Sequence, residues 1–129
     1  VDFQDAMEGP LFYDLASLLN DDYRDVPAAA REGALDTFWS AACTSLEVSD
    51  VAEVPDAPGS LPAAARQGLA LTAAQRSLKA LGTFGYQVSF AGRHEYAVYA
   101  RRTWRHARRA LVALGWQALI DELGAFDRL

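Results

Sequence analysis

Between Glu95 and Leu114 the apolar residues Ala100, Trp104, Ala107, Leu111 and Leu114 recur every three or four positions, with Arg101, Arg105 and Arg108 on the neighbouring strip. That period puts side chains on one face of an α-helix. A basic helix with an apolar stripe is stable only if another element covers the stripe. A second long amphipathic helix precedes it. From Ser60 or Leu61, with Pro62 in the first turn, Leu71, Ala74, Leu78 and Leu81 form one face, and Gln75, Arg76 and Lys79 lie opposite. Gly82 is the expected stop of this helix.

The rest of the chain reads the same way. Pro10 suits a first helical position, where its missing amide hydrogen is not needed. Leu11, Leu15, Leu18 and Leu19 follow at helical spacing, with Asp14, Ser17 and Asp21 on another side. The run NDDYRDVP ends that helix, and Asp25 and Pro27 open a second one to about Leu46, with Leu35, Phe38, Trp39, Ala42 and Leu46 as its buried stripe. Residues 47–60, EVSDVAEVPDAPGS, read as a connector because prolines and a glycine interrupt any continuing element. Gly115 separates the basic helix from a last one containing Trp116, Leu119, Ile120 and Leu123. In TFGYQVSFAGRHEY, Phe84, Tyr86, Val88 and Phe90 alternate as in a strand. A lone strand would lack a partner, so helix or irregular backbone is equally compatible. Four or five helices in 129 residues predict a mainly α fold with one core, since the length is short for two typical domains.

Charge and cysteine content narrow the chemistry. Residues 1–56 hold 13 acids and 2 bases, whereas residues 57–129 hold 4 acids and 10 bases. Such a split is either a packing complement between the halves or an interface. One basic helix in an acidic chain speaks against a nucleic-acid partner. No uninterrupted apolar run approaches 18 residues and no signal-peptide pattern is present, so no membrane partner and a cytoplasmic location are expected. Cys43, the single cysteine, cannot form an internal disulfide and sits in an apolar helical run, where it reads as a buried small hydrophobe. His94 and His106 are too few for a histidine-rich metal site, so any metal would be a hard, carboxylate-bound cation such as magnesium. His94 reads as a loop residue, and His106 as a helix-surface or packing residue.

The opening VDFQDAMEGP crowds Asp2, Asp5 and Glu8 ahead of the first helix. Two nearby carboxylates repel unless a cation or a proton lies between them. Alone, they also suit a solvated terminus or a cap. The longer stretch VDFQDAMEGPLFYDLASLLND resembles the segment after the catalytic loop in the aminoglycoside-phosphotransferase branch of the kinase-like fold. It is most similar there to the bacterial cell-wall amino-sugar kinases, which phosphorylate N-acetylmuramate or N-acetylglucosamine at the anomeric position. A second stretch, AAQRSLKALGTFGYQ, resembles that group's Gln-Arg-x-Leu-Lys-x-Leu-Gly-x-Phe segment, in the same order along the chain.

The resemblance implies that the chain is the helical part of the C-terminal lobe of a kinase-like fold. By it, Asp2 corresponds to the magnesium-binding aspartate that holds the cation bridging the β- and γ-phosphates of ATP. Asp5 is left between orienting Asp2, contacting metal or water, and capping a turn. Phe3 packs behind the site, and Gln4 is open between substrate contact and solvent. Asp14 corresponds to a supporting aspartate that anchors backbone amides of the catalytic loop. Gln75 and Arg76 are candidates for the substrate side, with a salt bridge to the acidic half as the alternative for Arg76. The sequence contains no glycine-rich phosphate loop and no His-x-Asp catalytic loop. The expectation is therefore a C-terminal fragment whose catalytic residues lie upstream of Val1, inactive without that missing N-terminal part. The parent would be an ATP- and Mg2+-dependent phosphotransferase acting on a hydroxylated small molecule such as an amino sugar. The alternative is a non-catalytic helical interaction or scaffold module.

Overall fold

The computed structural model describes residues 9–45, 61–124 and 126. The opening Asp2 to Asp5, Leu46 and the 47–60 connector lie outside that set. Helices α1 (Tyr13–Leu19), α2 (Ala28–Ser45), α3 (Ala63–Ser89), α4 (Ala97–Ala113) and α5 (Gln117–Glu122) carry the fold, with a short 3-10 turn at His94–Tyr96. No strand occurs among the described residues, so the mainly α expectation holds.

The centre of the molecule is the hairpin of α3 and α4. Its antiparallel sense is visible at both ends: the Phe84 ring stacks on Tyr96 at 5.9 Å between centroids, while Ala73 lines the same cavity as Ala110 and Ala113. Ala73, Ala74, Leu81 and Phe84 from α3 share one buried cluster with Ala100, Trp104, Ala107, Ala110 and Leu111 from α4. The α4 stripe is thus the one its periodicity predicts, with Leu114 half-buried at its edge. Ile120 of α5 joins this cluster, and Phe126 packs on Trp104 at 5.6 Å.

Both ends of α4 follow from local chemistry. Gly92 takes φ +68° between the two hairpin helices, and the Ala91 and Arg93 amides close back on the Tyr86 and Gln87 carbonyls. Gly115, at φ +70°, caps the other end, where the Trp116 amide bonds the Leu111 carbonyl and the Gly115 amide bonds that of Val112. These paired bonds form a Schellman motif, which needs a left-handed residue at that position.

A second, smaller cluster holds the remaining helices. Phe12, Leu15 and Leu19 pack with Leu61 and Ala65, and Leu35, Phe38 and Trp39 of α2 lean on them half-buried. Phe12 stacks on Trp39 at 6.4 Å and meets Phe38 at 5.9 Å. In α2 only Ala42 is fully buried.

Several expectations are corrected. In α1 the buried stripe is Phe12, Leu15, Ala16 and Leu19, and Leu11 and Leu18 are exposed. Two apolar stripes are available there at helical spacing, and the fit of Phe12 against Gly68 belongs to one of them. Leu71 is exposed because it lies about 60° round the helix from Ala74, beyond the edge of the hairpin contact. The strand-like alternation at Phe84 to Val88 is helical, and α3 runs through Gly82 to Ser89. Cys43 is half-buried rather than fully enclosed.

A methyl group added at Gly82 would meet nothing within 4 Å, so Gly82→Ala should raise stability by about 0.5–1 kcal/mol through helix propensity alone. At Gly68 the added methyl would stand 3.2 Å from the Phe12 ring. Gly68→Ala should therefore gain less or destabilise by roughly 1 kcal/mol, because Phe12 must shift. Urea unfolding of the two variants reads the difference.

Candidate functional site

The two stretches that carry the kinase-like resemblance meet in space. Arg76 projects from α3 to the end of α1, where its Nε donates to Ser17 Oγ at 2.5 Å and its Nη1 to the Asn20 carbonyl at 3.4 Å. Ser17 in turn donates to the Tyr13 carbonyl at 2.9 Å. The same Nη1 stands 3.8 Å from Asp22 Oδ2. The Arg76 bridge to the acidic half is therefore present, and the guanidinium is half-buried against α1.

Asp22 is the buried anchor of this arrangement. Its Oδ1 accepts a hydrogen bond from Thr103 Oγ1 of α4 at 2.6 Å, and that hydroxyl also approaches the Tyr99 carbonyl at 2.9 Å. Arg102 adds a second tie, with Nη1 to the Asp22 carbonyl at 3.2 Å and Nε 3.3 Å from Asp25 Oδ1. The neighbouring turn is local: Asp21 Oδ1 accepts from the Tyr23 amide at 2.7 Å, a side chain closing its own backbone. The acidic run after α1 thus packs on the basic side of the hairpin.

Arg31 completes the end of α1 from α2. It donates to the Leu19 carbonyl and, through Nη2, to Asn20 Oδ1 at 3.3 Å. A cation there satisfies carbonyls left open by the last turn and suits the negative end of the helix dipole. Burial, and then Arg109, lower Arg31 from its ordinary value.

Beside Arg76 lies a cleft of about 290 Å3 bounded by Tyr13, Asp22, Tyr23, Lys79, Thr83 and Phe84. Its aromatic and hydroxyl walls and the Lys79 ammonium suit a hydroxylated or anionic small molecule. Arg76 borders it with three of its contacts already directed inward. Gln75 is exposed on α3, and Asp14 is exposed in the first turn of α1 with no hydrogen bond to another described residue. Asp2, Phe3, Gln4 and Asp5 lie outside the described residues. Among the described residues no group of three or more His, Cys, Asp or Glu could hold a metal ion. No described helix is long and apolar enough to cross a membrane.

His94 is exposed in the 3-10 turn, whereas His106 is buried on α4. Neither His106 ring nitrogen has a hydrogen-bond partner. Burial lowers its pKa first, and Arg109 and Arg31 add to that; Asp22 and the nearby Asp21 backbone oppose it. Sequence reasoning did not single out Asp22 or Thr103. The cue for Thr103 was its position one residue before Trp104, beside the apolar stripe. No family model, curated protein or solved structure matches this chain.

Asp22→Ala and Thr103→Val should each cost about 2 kcal/mol, because each removes a buried hydrogen bond to a charged group. In a double-mutant cycle by urea unfolding the pair should couple by roughly 1 kcal/mol; strict additivity would separate the two residues. His106 gives a pH test. The unfolded chain takes up a proton at an ordinary histidine pKa of about 6.5 and the folded one only at lower pH. Stability is full above the unfolded value and is lost as pH falls below it. His106→Gln should flatten the stability profile on the acid side of about pH 6.5, where the wild-type chain weakens.

Proposed function

We propose that these 129 residues supply the helical part of the C-terminal lobe of an ATP-dependent small-molecule phosphotransferase, with an amino sugar as the phosphate acceptor. The observation that supports this most is the Arg76 bridge: two stretches some 56 residues apart in the chain, each resembling the same family, are joined by a half-buried guanidinium.

In this reading α1 is a support. Its packing through Phe12, Leu15 and Leu19, and the tie from Arg76, set the direction of the helix whose first turn carries Asp14. An exposed carboxylate held on a fixed helix can accept backbone amides from a loop packed against it, and so position that loop. Asp2 would hold Mg2+, with Asp5 orienting it, meeting metal or water, or capping a turn; the cation supplies charge neutralisation at the ATP phosphates. Arg76 acts as a positioning residue and Lys79 as the cation facing the small cleft. Gln75 and Gln4 remain candidates for the substrate side. Phosphoryl transfer also needs a nucleotide-binding lobe and a residue to orient the hydroxyl, neither of which has a sequence signature within residues 1–129.

The 129-residue chain alone should therefore transfer no phosphate from ATP to N-acetylmuramate, N-acetylglucosamine, choline or an aminoglycoside. A polypeptide from the same reading frame that includes a nucleotide lobe and a His-x-Asp-x-x-x-x-Asn loop should phosphorylate one of the two amino sugars. In it, Asp2→Ala should lower turnover by about a thousandfold or more, with the loss of metal-held charge stabilisation. Activity of the isolated chain, or a reading frame without that loop, would overturn the assignment; the latter would favour an interaction module.

A further inference from the structure

On the other side of the Arg31 contact, the end of α1, α2, the first half of α3 and the second half of α4 line an open cavity of about 550 Å3. Its walls are apolar: Leu19, Leu35, Leu61, Leu69, Ala73 and Ala110. Its polar lining is unusually cationic for so apolar a space. Arg31, Arg66 and Arg109 line it, against the carboxylates Glu32 and Asp36, with His106 and Asn20 between. The volume falls within the range of roughly 300–1,000 Å3 typical of small-molecule sites.

The three guanidiniums are not equivalent. Arg31 is directed to the Leu19 carbonyl and Arg66 to the Leu61 carbonyl, so both are held in place beside the apolar wall. Arg109 has no hydrogen bond or ion pair to another described residue, yet it lies close enough to Arg31 and His106 to disfavour a proton on each. Like charges gathered at the edge of an apolar cavity raise the free energy of the empty state. An anion between them relieves the repulsion, and it does so most where burial weakens screening. His106 is a second, independent sign. It is 7% exposed, lines the cavity, and leaves both ring nitrogens without a partner.

We propose that this cavity binds an organic monocarboxylate with an apolar body of medium-chain length, its chain against Leu35, Leu61 and Leu69 and its carboxylate between Arg31 and Arg109. The site shares none of Asp14, Gln75 or Arg76 with the phosphotransferase reading, and either can fail without the other.

The test is calorimetric titration of the 129-residue chain at pH 7.5 and low salt with decanoate, decan-1-ol and decyltrimethylammonium. Decanoate should bind one per chain, about tenfold or more tighter than the alcohol, with the cation weakest. Arg109→Gln, an exposed substitution that leaves the apolar wall intact, should weaken decanoate about tenfold and leave decan-1-ol unchanged. Ala70→Phe, which fills the cavity from α3, should weaken both. Failure of decanoate to bind, equal binding of decanoate and the alcohol, tighter binding of the cation, or an Arg109→Gln variant with unaltered decanoate affinity and unaltered circular dichroism would each overturn the proposal.

Discussion

The small side chains Ala73, Ala74, Ala100, Ala107 and Ala110, with the buried hydroxyls of Ser77 and Thr103, line the interior of the α3–α4 hairpin. Helix axes approach most closely where the residues between them are small, and Leu81, Phe84, Trp104 and Leu111 are buried beside that contact. Every other element takes its place from that contact. α1 lies on α3, α5 folds back on α4, and α2 reaches the molecule through α1. The hairpin cluster also takes in Ala16 of α1 and Ile120 of α5, whereas α1 and α2 share a second cluster with Leu61 and Ala65 from the start of α3.

The uneven charge of the chain becomes intelligible on this frame. The acidic residues that follow α1 lie against the basic residues of the hairpin, so Asp22 meets Arg76 and Thr103, and Asp25 meets Arg102. These contacts differ in kind. The Asp25 carboxylate is 68% exposed and its pairing is a surface one, worth a fraction of a kcal/mol. The Asp22 carboxylate is 6% exposed, and burying it is tolerable only because a hydroxyl and a guanidinium meet it. The split thus serves packing for these residues, while the outer strip of α4, with Arg101, Arg105 and Arg108, remains exposed.

How much of this could be read in the sequence depended on whether one physical signal acted alone. In α4 the apolar stripe had no rival, and Ala100, Trp104, Ala107 and Leu111 are all buried. In α1 two stripes were equally apolar, and the choice between them was made by Phe12 lying over Gly68, a contact 56 residues apart in sequence. Gly82 reads as a stop because glycine ends many helices, but α3 continues through it to Ser89, and the left-handed glycine of this connection is Gly92. The alternation of Phe84, Tyr86, Val88 and Phe90 mimicked a strand because two helical residues, Tyr86 and Phe90, stack on each other outside the core while Phe84 points into it. For the candidate site, the bridging role of Arg76 was legible from charge; its actual acceptors, Ser17 Oγ and the Asn20 carbonyl, were not, since neutral oxygens carry no long-range signal. His106 takes the packing alternative of its sequence reading, while nothing in its neighbours announces the cavity it lines.

α2 connects these observations. It is 18 residues long with one fully buried residue, and its hold on the rest is the half-buried row Leu35, Phe38 and Trp39 together with the Arg31 bonds at the end of α1. A helix with so little buried surface draws its stability from few contacts and belongs to the less protected part of a fold. It also forms one wall of the arginine-lined cavity, through Arg31, Leu35 and Asp36. Anything occupying that cavity adds apolar contact to Leu35 and a counter-charge to Arg31 at the same time, which stabilises α2 against opening by mass action. Because Arg31 also closes the last turn of α1, the effect reaches the helix that carries Asp14. Arg31 and the contacts of Phe12 with Phe38 and Trp39 thus join one wall of the cavity to the end of α1, with no need for a change in the hairpin itself.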